Sequence, residues 1–243
     1  MKIAIVGYGE MGKEIERQAK NLSCEVTKII DLDTHQQLSN TEFDEDEIAI
    51  EFSTPSSVMS NLEVLARKKV SVVCGTTGWY EHKQYVRNIV DKNDIGFMYA
   101  SNFAIGTQIF WKTVAYLAKY INRFDEYDIL MNEIHHKNKL DSPSGTAITT
   151  AEILLENILR KKTFNTEKIS TKIQDEEIHV SSTRGGYVIG KHTVLCDSPH
   201  DTIEISHSGK SRASYAIGAI KSAQWLNKKK GFFSINDYMD DMI

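Results

Sequence analysis

Met1-Lys2-Ile3-Ala4-Ile5-Val6-Gly7-Tyr8-Gly9-Glu10-Met11-Gly12 opens the chain of 243 residues. Residues 1–6 form a short apolar run suited to a buried parallel strand. The pattern G-x-G-x-x-G, carried by Gly7, Gly9 and Gly12, follows at once, and residues 13–19 read as the helix behind it. Residues 25–30 read as a second strand running into Asp31, nineteen positions beyond Gly12. A strand, a glycine turn, a helix and an acid at this spacing describe a dinucleotide site. The turn lets backbone N–H groups meet a pyrophosphate, and the acid reaches the adenosine ribose. A carboxylate at Asp31 accepts from the 2′-hydroxyl of NADH and repels the 2′-phosphate of NADPH. Leu32 and Asp33 come next, with no arginine. NADH is therefore the expected preference, while NADPH stays open because a basic side chain from elsewhere can meet a phosphate.

The βα alternation continues. Residues 48–52, 70–74 and 95–100 read as strands, and 58–68 and 80–92 as helices. Gly75-Thr76-Thr77-Gly78 and Ala100-Ser101-Asn102-Phe103 lie at the carboxyl ends of their strands, where open α/β sheets bind ligands. Gly75, Thr76 and Thr77 offer small side chains and hydroxyls near the expected nicotinamide ribose, although a tight βα turn needs the same residues. Residues 105–121 read as an amphipathic helix.

The densest chemistry lies in Glu133-Ile134-His135-His136-Lys137-Asn138-Lys139-Leu140-Asp141-Ser142-Pro143-Ser144-Gly145-Thr146-Ala147. The strand-like Ile129-Leu130-Met131 leads in, and a helical pattern through Ala151, Leu154, Leu155 and Ile158 leads out. Histidine titrates near neutrality, and a lysine holds a carboxylate or donates a proton. Residues 142–146 read as a helix N-terminus, with a serine cap, proline in the first turn and glycine opening the backbone N–H groups to an anion. Together they suit a small anionic substrate that needs a proton.

Beyond residue 162, residues 178–183, 187–196 and 202–207 read as an antiparallel set of strands, and 215–226 as a last helix. The chain thus divides into an alternating βα region and a mixed α+β region. Apolar content of 41% and charged content of 26% are ordinary for a globular protein, and a net charge of −4 gives no sign of a nucleic-acid partner. Cys24, Cys74 and Cys196 lack C-x-x-C spacing and are expected to be reduced, mostly buried thiols of a cytoplasmic protein. The acidic run 42–47 reads as solvated surface. No stretch approaches a membrane span. His179, His192, His200 and His207 are spaced without a compact metal pattern, adjacent His135 and His136 point apart on a strand, and no metal is expected. Arg212, beside a Gly/Ser turn, is placed to pair with a carboxylate.

The chain resembles the dihydrodipicolinate (4-hydroxy-tetrahydrodipicolinate) reductases. The resemblance rests on Glu133-x-His135-His136-x-x-Lys139-x-Asp141-x-Pro143-Ser144-Gly145-Thr146-Ala147. The N-terminal fingerprint, Gly75 to Gly78, Ser101 to Phe103, Arg184-Gly185-Gly186 through Gly190-x-His192, and Ile205-x-His207 leading to Arg212 support it. It implies a Rossmann-like domain over residues 1–104 and 213–243. It also implies an α+β domain over 105–212 whose open mixed sheet builds a homotetramer. The implied reaction is hydride transfer from NADH or NADPH to a cyclic unsaturated imine dicarboxylate. By position, His135 is the proton donor or acceptor and Lys139 a second donor. His136, Gly145, Thr146 and Arg212 hold substrate. Gly7, Tyr8, Gly9, Glu10, Met11, Gly12, Asp31, Gly75, Thr76, Thr77, Ala100, Ser101, Asn102 and Phe103 line the cofactor. Glu10-Met11 replaces a loop that often carries arginine, and Leu32 replaces another frequent arginine; both departures count against NADPH. The alternatives are another Rossmann-type imine or amino-acid dehydrogenase, and a non-catalytic NAD sensor that would have no need of Lys139.

Overall fold

The structure, a computed structural model, describes residues 1–31 and 34–243. It divides into two compact units: Met1–Ile105 with Arg212–Ile243, and Gly106–Ser211. Ile105 and Arg212 thus fall in the first unit. Leu32 and Asp33, on which part of the NADH expectation rests, lie outside the described residues.

The first unit is a six-stranded sheet built from β1 (Lys2–Val6), β2 (Glu25–Ile30), β3 (Ile48–Glu51), β4 (Ser71–Cys74), β5 (Gly96–Tyr99) and β11 (Gly231–Ser234). The strand order is β11-β5-β4-β3-β1-β2, parallel throughout. Alternate side chains feed two cores, one on each face. Ile3, Ile5, Ile50, Val73 and Met98 pack on one side, under α1 (Glu10–Ala19), α7 (Ala213–Leu226) and α8 (Ile235–Asp240). Val6, Ala49, Val72, Cys74 and Phe97 pack on the other, under α3 (Val58–Arg67) and α4 (Lys83–Asn93). Burial on both faces is why these strands read as continuous apolar runs. The helix expected over 215–226 is α7 and lies in this unit, and β11 adds an edge strand beside β5, with Phe232 stacked on Phe97 at 5.2 Å. A short helix α2 (Thr34–Asn40) precedes β3. β11, α2 and α8 were not expected from the sequence pattern.

The second unit holds α5 (Ile105–Ile121, from Gly106 on), β6 (Asp128–His135), α6 (Gly145–Asn157), β7 (Thr163–Asn165), β8 (Glu177–Arg184), β9 (Gly190–Asp197) and β10 (Thr202–Gly209). Its sheet order is β10-β9-β6-β8-β7. This corrects the expected antiparallel set. β9 and β10 do pair antiparallel, but β8 runs parallel to both β6 and β7, and β6 lies between β8 and β9. The cause is α6, a helical crossover that returns the chain alongside β6 in the same direction. The segment 185–189 then has to clear one intervening strand, about 10 Å at ordinary strand spacing.

One face of this sheet is covered. Ile129, Met131, Ile178, Val180, Val194 and Cys196 pack there against Val114 and Ala118 of α5 and Ala151 and Leu154 of α6. Within the unit the other face stays open, and Leu130 is 43% exposed on it.

Two smaller readings are settled here. The acidic run is not wholly solvated, because Glu47 is buried and paired with Lys28 at 2.8 Å. All three cysteines are buried and free. Among the described residues no helix is long and apolar enough to cross a membrane.

Candidate active site

The first unit gathers the expected cofactor residues at the carboxyl ends of its parallel strands β1, β2, β4 and β5. Gly7 has φ +89°, and a Cβ there would sit 2.2 Å from the Phe52 carbonyl oxygen, so only glycine makes this turn. Gly9 is the N-cap of α1, no side chain caps it, and nothing lies within 4 Å of where a Cβ would stand. The first-turn N–H groups are thus open to a pyrophosphate, and the loop fits the dinucleotide it was read for. Tyr8 N–H donates to Asp31 Oδ1 at 3.1 Å, which ties the ribose acid to the loop. Met11 packs on the adjoining core, and Gly12 closes against the Gly7 carbonyl.

Gly75, Thr76 and Thr77 follow β4. Thr76 is buried, and its carbonyl accepts from Trp79 Nε1 at 2.9 Å. Ala100, Ser101, Asn102 and Phe103 follow β5, with Asn102 Oδ1 accepting from Ala104 N–H at 2.8 Å and Phe103 in the core. Glu10 stands at the start of α1, with its carboxylate 2.8 Å from Arg212 Nη1. Arg212, expected at the substrate, therefore lies in the unit of the glycine loop and is paired there.

The second unit carries the proton chemistry. Alternation along β6 sends Ile129, Met131, Glu133 and His135 to the covered face, all of them buried. His136 follows the end of β6 and starts the turn in which Lys139 N–H donates to its carbonyl at 3.1 Å. Strand register places Ser182, Glu133, His192 and His207 side by side across β8, β6, β9 and β10. One step on, His135 stands beside Arg184.

Glu133 is the hub. Its Oε1 accepts from Ser144 N–H at 3.0 Å, Ser182 Oγ at 2.9 Å and Arg184 Nη2 at 2.8 Å, and its Oε2 accepts from the Ser144 hydroxyl. His135 Nδ1 lies 3.4 Å and His192 Nδ1 3.8 Å from the same Oε2. Burial alone would push the Glu133 carboxyl up, but the hydrogen bonds from Ser144, Arg184 and Ser182 outweigh it and hold its pKa at about 2. Burial lowers His192 to about 4, helped by the neighbouring His135. Burial also lowers His135. The Glu133 charge opposes that shift, while Lys139 and Arg184 add to it.

Ser144 caps α6, its Oγ accepting from Ala147 N–H at 3.2 Å. The cap thus falls at Ser144 and Pro143 precedes it, correcting the expected proline in the first turn. Gly145 and Thr146 form that turn, with Gly145 exposed and open to an anion. Lys139 Nζ bonds Asp141 Oδ1 at 2.7 Å, and Arg184 Nη2 also reaches the Asp141 carbonyl at 2.6 Å, fastening the 136–143 loop to the sheet.

Sequence spacing missed Glu133, Arg184, His192 and Gly190 as parts of one cluster. Glu133, His135 and His192 bring one ligand atom each within 4.8 Å, so one of the late histidines, His192, does join a compact group that the sequence spacing did not suggest. The Glu133 oxygens are already committed to four donors from Ser144, Ser182 and Arg184, one of them a guanidinium, which leaves this carboxylate poorly suited to serve as a metal ligand.

Known proteins share this layout. The family described as dihydrodipicolinate reductase, N-terminus, matches residues 1–103, and dihydrodipicolinate reductase, C-terminus, matches residues 106–239. A 4-hydroxy-tetrahydrodipicolinate reductase of Christiangramia forsetii is 37% identical over 100% of this chain and 99% of its own. One from Archaeoglobus fulgidus is 36% identical over 80% of this chain and 76% of its own. A dipicolinate-bound dihydrodipicolinate reductase from Paenisporosarcina sp. TG-14 superposes with TM-score 0.78 at 25% identity, covering 98% of both chains.

Proposed function

Because this chain belongs to the dihydrodipicolinate reductase family, we propose that His135 and Lys139 supply the proton of its reaction and that the first turn of α6 holds the substrate. The chain is an NAD(P)H-dependent oxidoreductase, a 4-hydroxy-tetrahydrodipicolinate reductase that serves lysine and diaminopimelate synthesis. The nicotinamide cofactor, when bound, supplies a hydride to a cyclic unsaturated imine dicarboxylate. Everything else falls to the protein.

The carrying observation is the buried Glu133–His135 pair set beside a capped helix N-terminus. A ring that receives hydride gains an electron pair that must be protonated, and an imidazolium or ammonium placed at it provides the proton. A dicarboxylate needs cationic and N–H partners. The N–H groups of Gly145 and Thr146 would donate to one carboxylate at the positive end of α6, with His136 as a further partner and Arg212 for the other. A relative solved with dipicolinate bound, a planar dicarboxylate of the same kind, supports this assignment. Lys139 is oriented by its bond to Asp141 until substrate draws it away.

Asp31, tied to the Tyr8 amide and lacking an arginine after it, favours NADH. The open face of the second unit, where Leu130 lies exposed beside Leu195 of β9, supports a homotetramer built through that sheet, which light scattering checks. A cytoplasmic location follows from the pathway and the three free thiols.

The test is absorbance at the reduced nicotinamide band, with freshly made dihydrodipicolinate-synthase product as substrate, run with NADH and with NADPH. Rapid oxidation is expected, faster per unit kcat/KM with NADH. Protein that binds NADH yet turns over neither cofactor would remove the assignment.

A further inference from the structure

The residue proposed above as proton donor sits on a support that this role does not by itself require. His135 Nδ1 is buried and has no hydrogen-bond partner among the described residues, yet it lies 3.4 Å from a carboxylate oxygen. That carboxylate is fixed by four donors from three places: the α6 cap, β8 and the β8 terminus. It cannot swing away to follow the ring. The opposite edge of the ring meets Gly190. A Cβ built there would lie 2.9 Å from His135 Nε2 and 3.2 Å from Cδ2, closer than real atoms pack. Gly190 is on β9, two residues before His192, and pairs with Gly209 on β10, so no side chain stands at that level of either strand.

We infer that Glu133 is a positioning residue that fixes the tautomer of His135, holding the proton on Nδ1 and leaving Nε2, over the bare surface of Gly190, as the atom that gives the reaction its proton. The inference rests on the assignment of His135 as donor. The balance is simple. In the imidazolium both nitrogens carry hydrogen. The Nε2–H bond breaks as a bond to hydrogen forms on the reduced ring, and the Nδ1–H remains, facing the carboxylate. Only the Nδ1–H tautomer of the neutral product places its hydrogen beside Glu133, so the carboxylate selects which nitrogen is emptied. The orientation of a catalytic histidine by a buried acid is a general device on unrelated folds.

Every charged group around His135 bears on its titration. Glu133 on β6 and Asp141 in the following loop raise its pKa, and Lys139 and Arg184 lower it. His192 on β9 stands 5.1 Å away ring to ring, with His207 on β10 beyond it. Removing the Glu133 charge leaves the lowering influences less opposed, so the donor limb of the pH profile has to move down.

The experiment uses full-length enzyme with ¹⁵N-labelled histidine, the His135 signals being assigned by their loss in His135→Asn. In wild type, the neutral His135 ring is expected as the Nδ1–H tautomer. In Glu133→Gln the Nε2–H tautomer gains population, kcat falls about a hundredfold, and the pH at which kcat declines drops by about one unit. KM for NADH stays within about twofold, as a change confined to the chemical step requires. Gly190→Ala, which leaves the carboxylate network intact, lowers kcat by crowding Nε2 without changing the tautomer. A wild-type Nε2–H tautomer, or Glu133→Gln with unmoved kcat and pH limb, overturns the inference. If Glu133→Gln does not fold, the wild-type tautomer and Gly190→Ala decide it. Absence of turnover in wild type would sink the function instead, and the tautomer measurement would still stand.

Discussion

Arg184 Nη2 lies 2.8 Å from Glu133 Oε1, and the carboxylate it meets is almost wholly withdrawn from water. A buried charge is tolerable only while its partners remain. Arg184→Met removes the one full positive charge on Glu133 and keeps the aliphatic bulk. It is expected to cost about 2–3 kcal/mol, read as a Tm lowered by roughly 5–10 °C, and to loosen the 136–143 loop that Arg184 also ties through the Asp141 carbonyl. Thermal melts of the variant that match wild type would show that the ion pair carries no stability.

The same network sets acid stability. Glu133 has a folded pKa of about 2 against an ordinary 4.5, so its contribution is complete above 4.5 and disappears as pH falls through about 2. His192 is depressed from 6.5 to about 4, so it too favours folding above 6.5 and loses that contribution as pH falls through about 4. Both act in one direction. Urea midpoints are expected to decline in two stages, from near pH 6.5 to 4 and again below 4.5. His192→Gln should flatten the first stage only.

His135 and Lys139 separate chemistry from cofactor binding. His135→Ala is expected to lower kcat about a thousandfold, with NADH affinity by fluorescence titration nearly unchanged, because the dinucleotide loop lies in the other compact unit. Lys139→Met should lower kcat and raise KM for the dicarboxylate together. Loss of NADH binding in His135→Ala would contradict the division of labour between the units.

Local pattern made the dinucleotide unit readable. β1, the glycine turn, α1 and Asp31 are contiguous, and each step obeys a short-range rule. The helix start behind His135 and Lys139 was readable for the same reason, although its cap falls at Ser144, after Pro143 rather than before it. Glu133 stood in plain view two residues from His135, where a period of two already puts both side chains on one face. What spacing does not reveal is register. His192 is fifty-nine positions from Glu133 and meets it only because β9 pairs antiparallel with β6. The parallel placement of β8, which brings Ser182 and Arg184 to the same carboxylate, depends on α6 acting as a crossover. Both follow from tertiary pairing, which no window of sequence contains.

Cofactor choice turns on Asp31. Its carboxylate is exposed and oriented by the Tyr8 amide at 3.1 Å, and under the proposed NADH preference it is the group that would meet a 2′-phosphate. Asp31→Ser removes the repulsion and one charged acceptor. Hydrogen bonds to charged groups are worth about 1.5–3 kcal/mol, so the NADH-to-NADPH ratio of kcat/KM is expected to fall by about ten- to a hundredfold. An unchanged ratio would move the discrimination to another residue of the loop.

Glu10 and Arg212 give the last prediction. Their side chains pair at 2.8 Å, both well exposed, and one belongs to the glycine loop while the other is assigned a substrate carboxylate. An arginine cannot serve two carboxylates at full strength, so substrate has to compete with Glu10. Glu10→Gln weakens the competitor without altering the size of the side chain. KM for the dicarboxylate is expected to fall by about two- to fivefold, the scale of an exposed ion pair. The difference from wild type should shrink as salt screens the pair. Arg212→Met should raise the same KM at least tenfold, since a charge-assisted pair to the substrate is then lost. If Arg212→Met left that KM untouched, Arg212 would be a surface partner of Glu10 and the second carboxylate would need another cation.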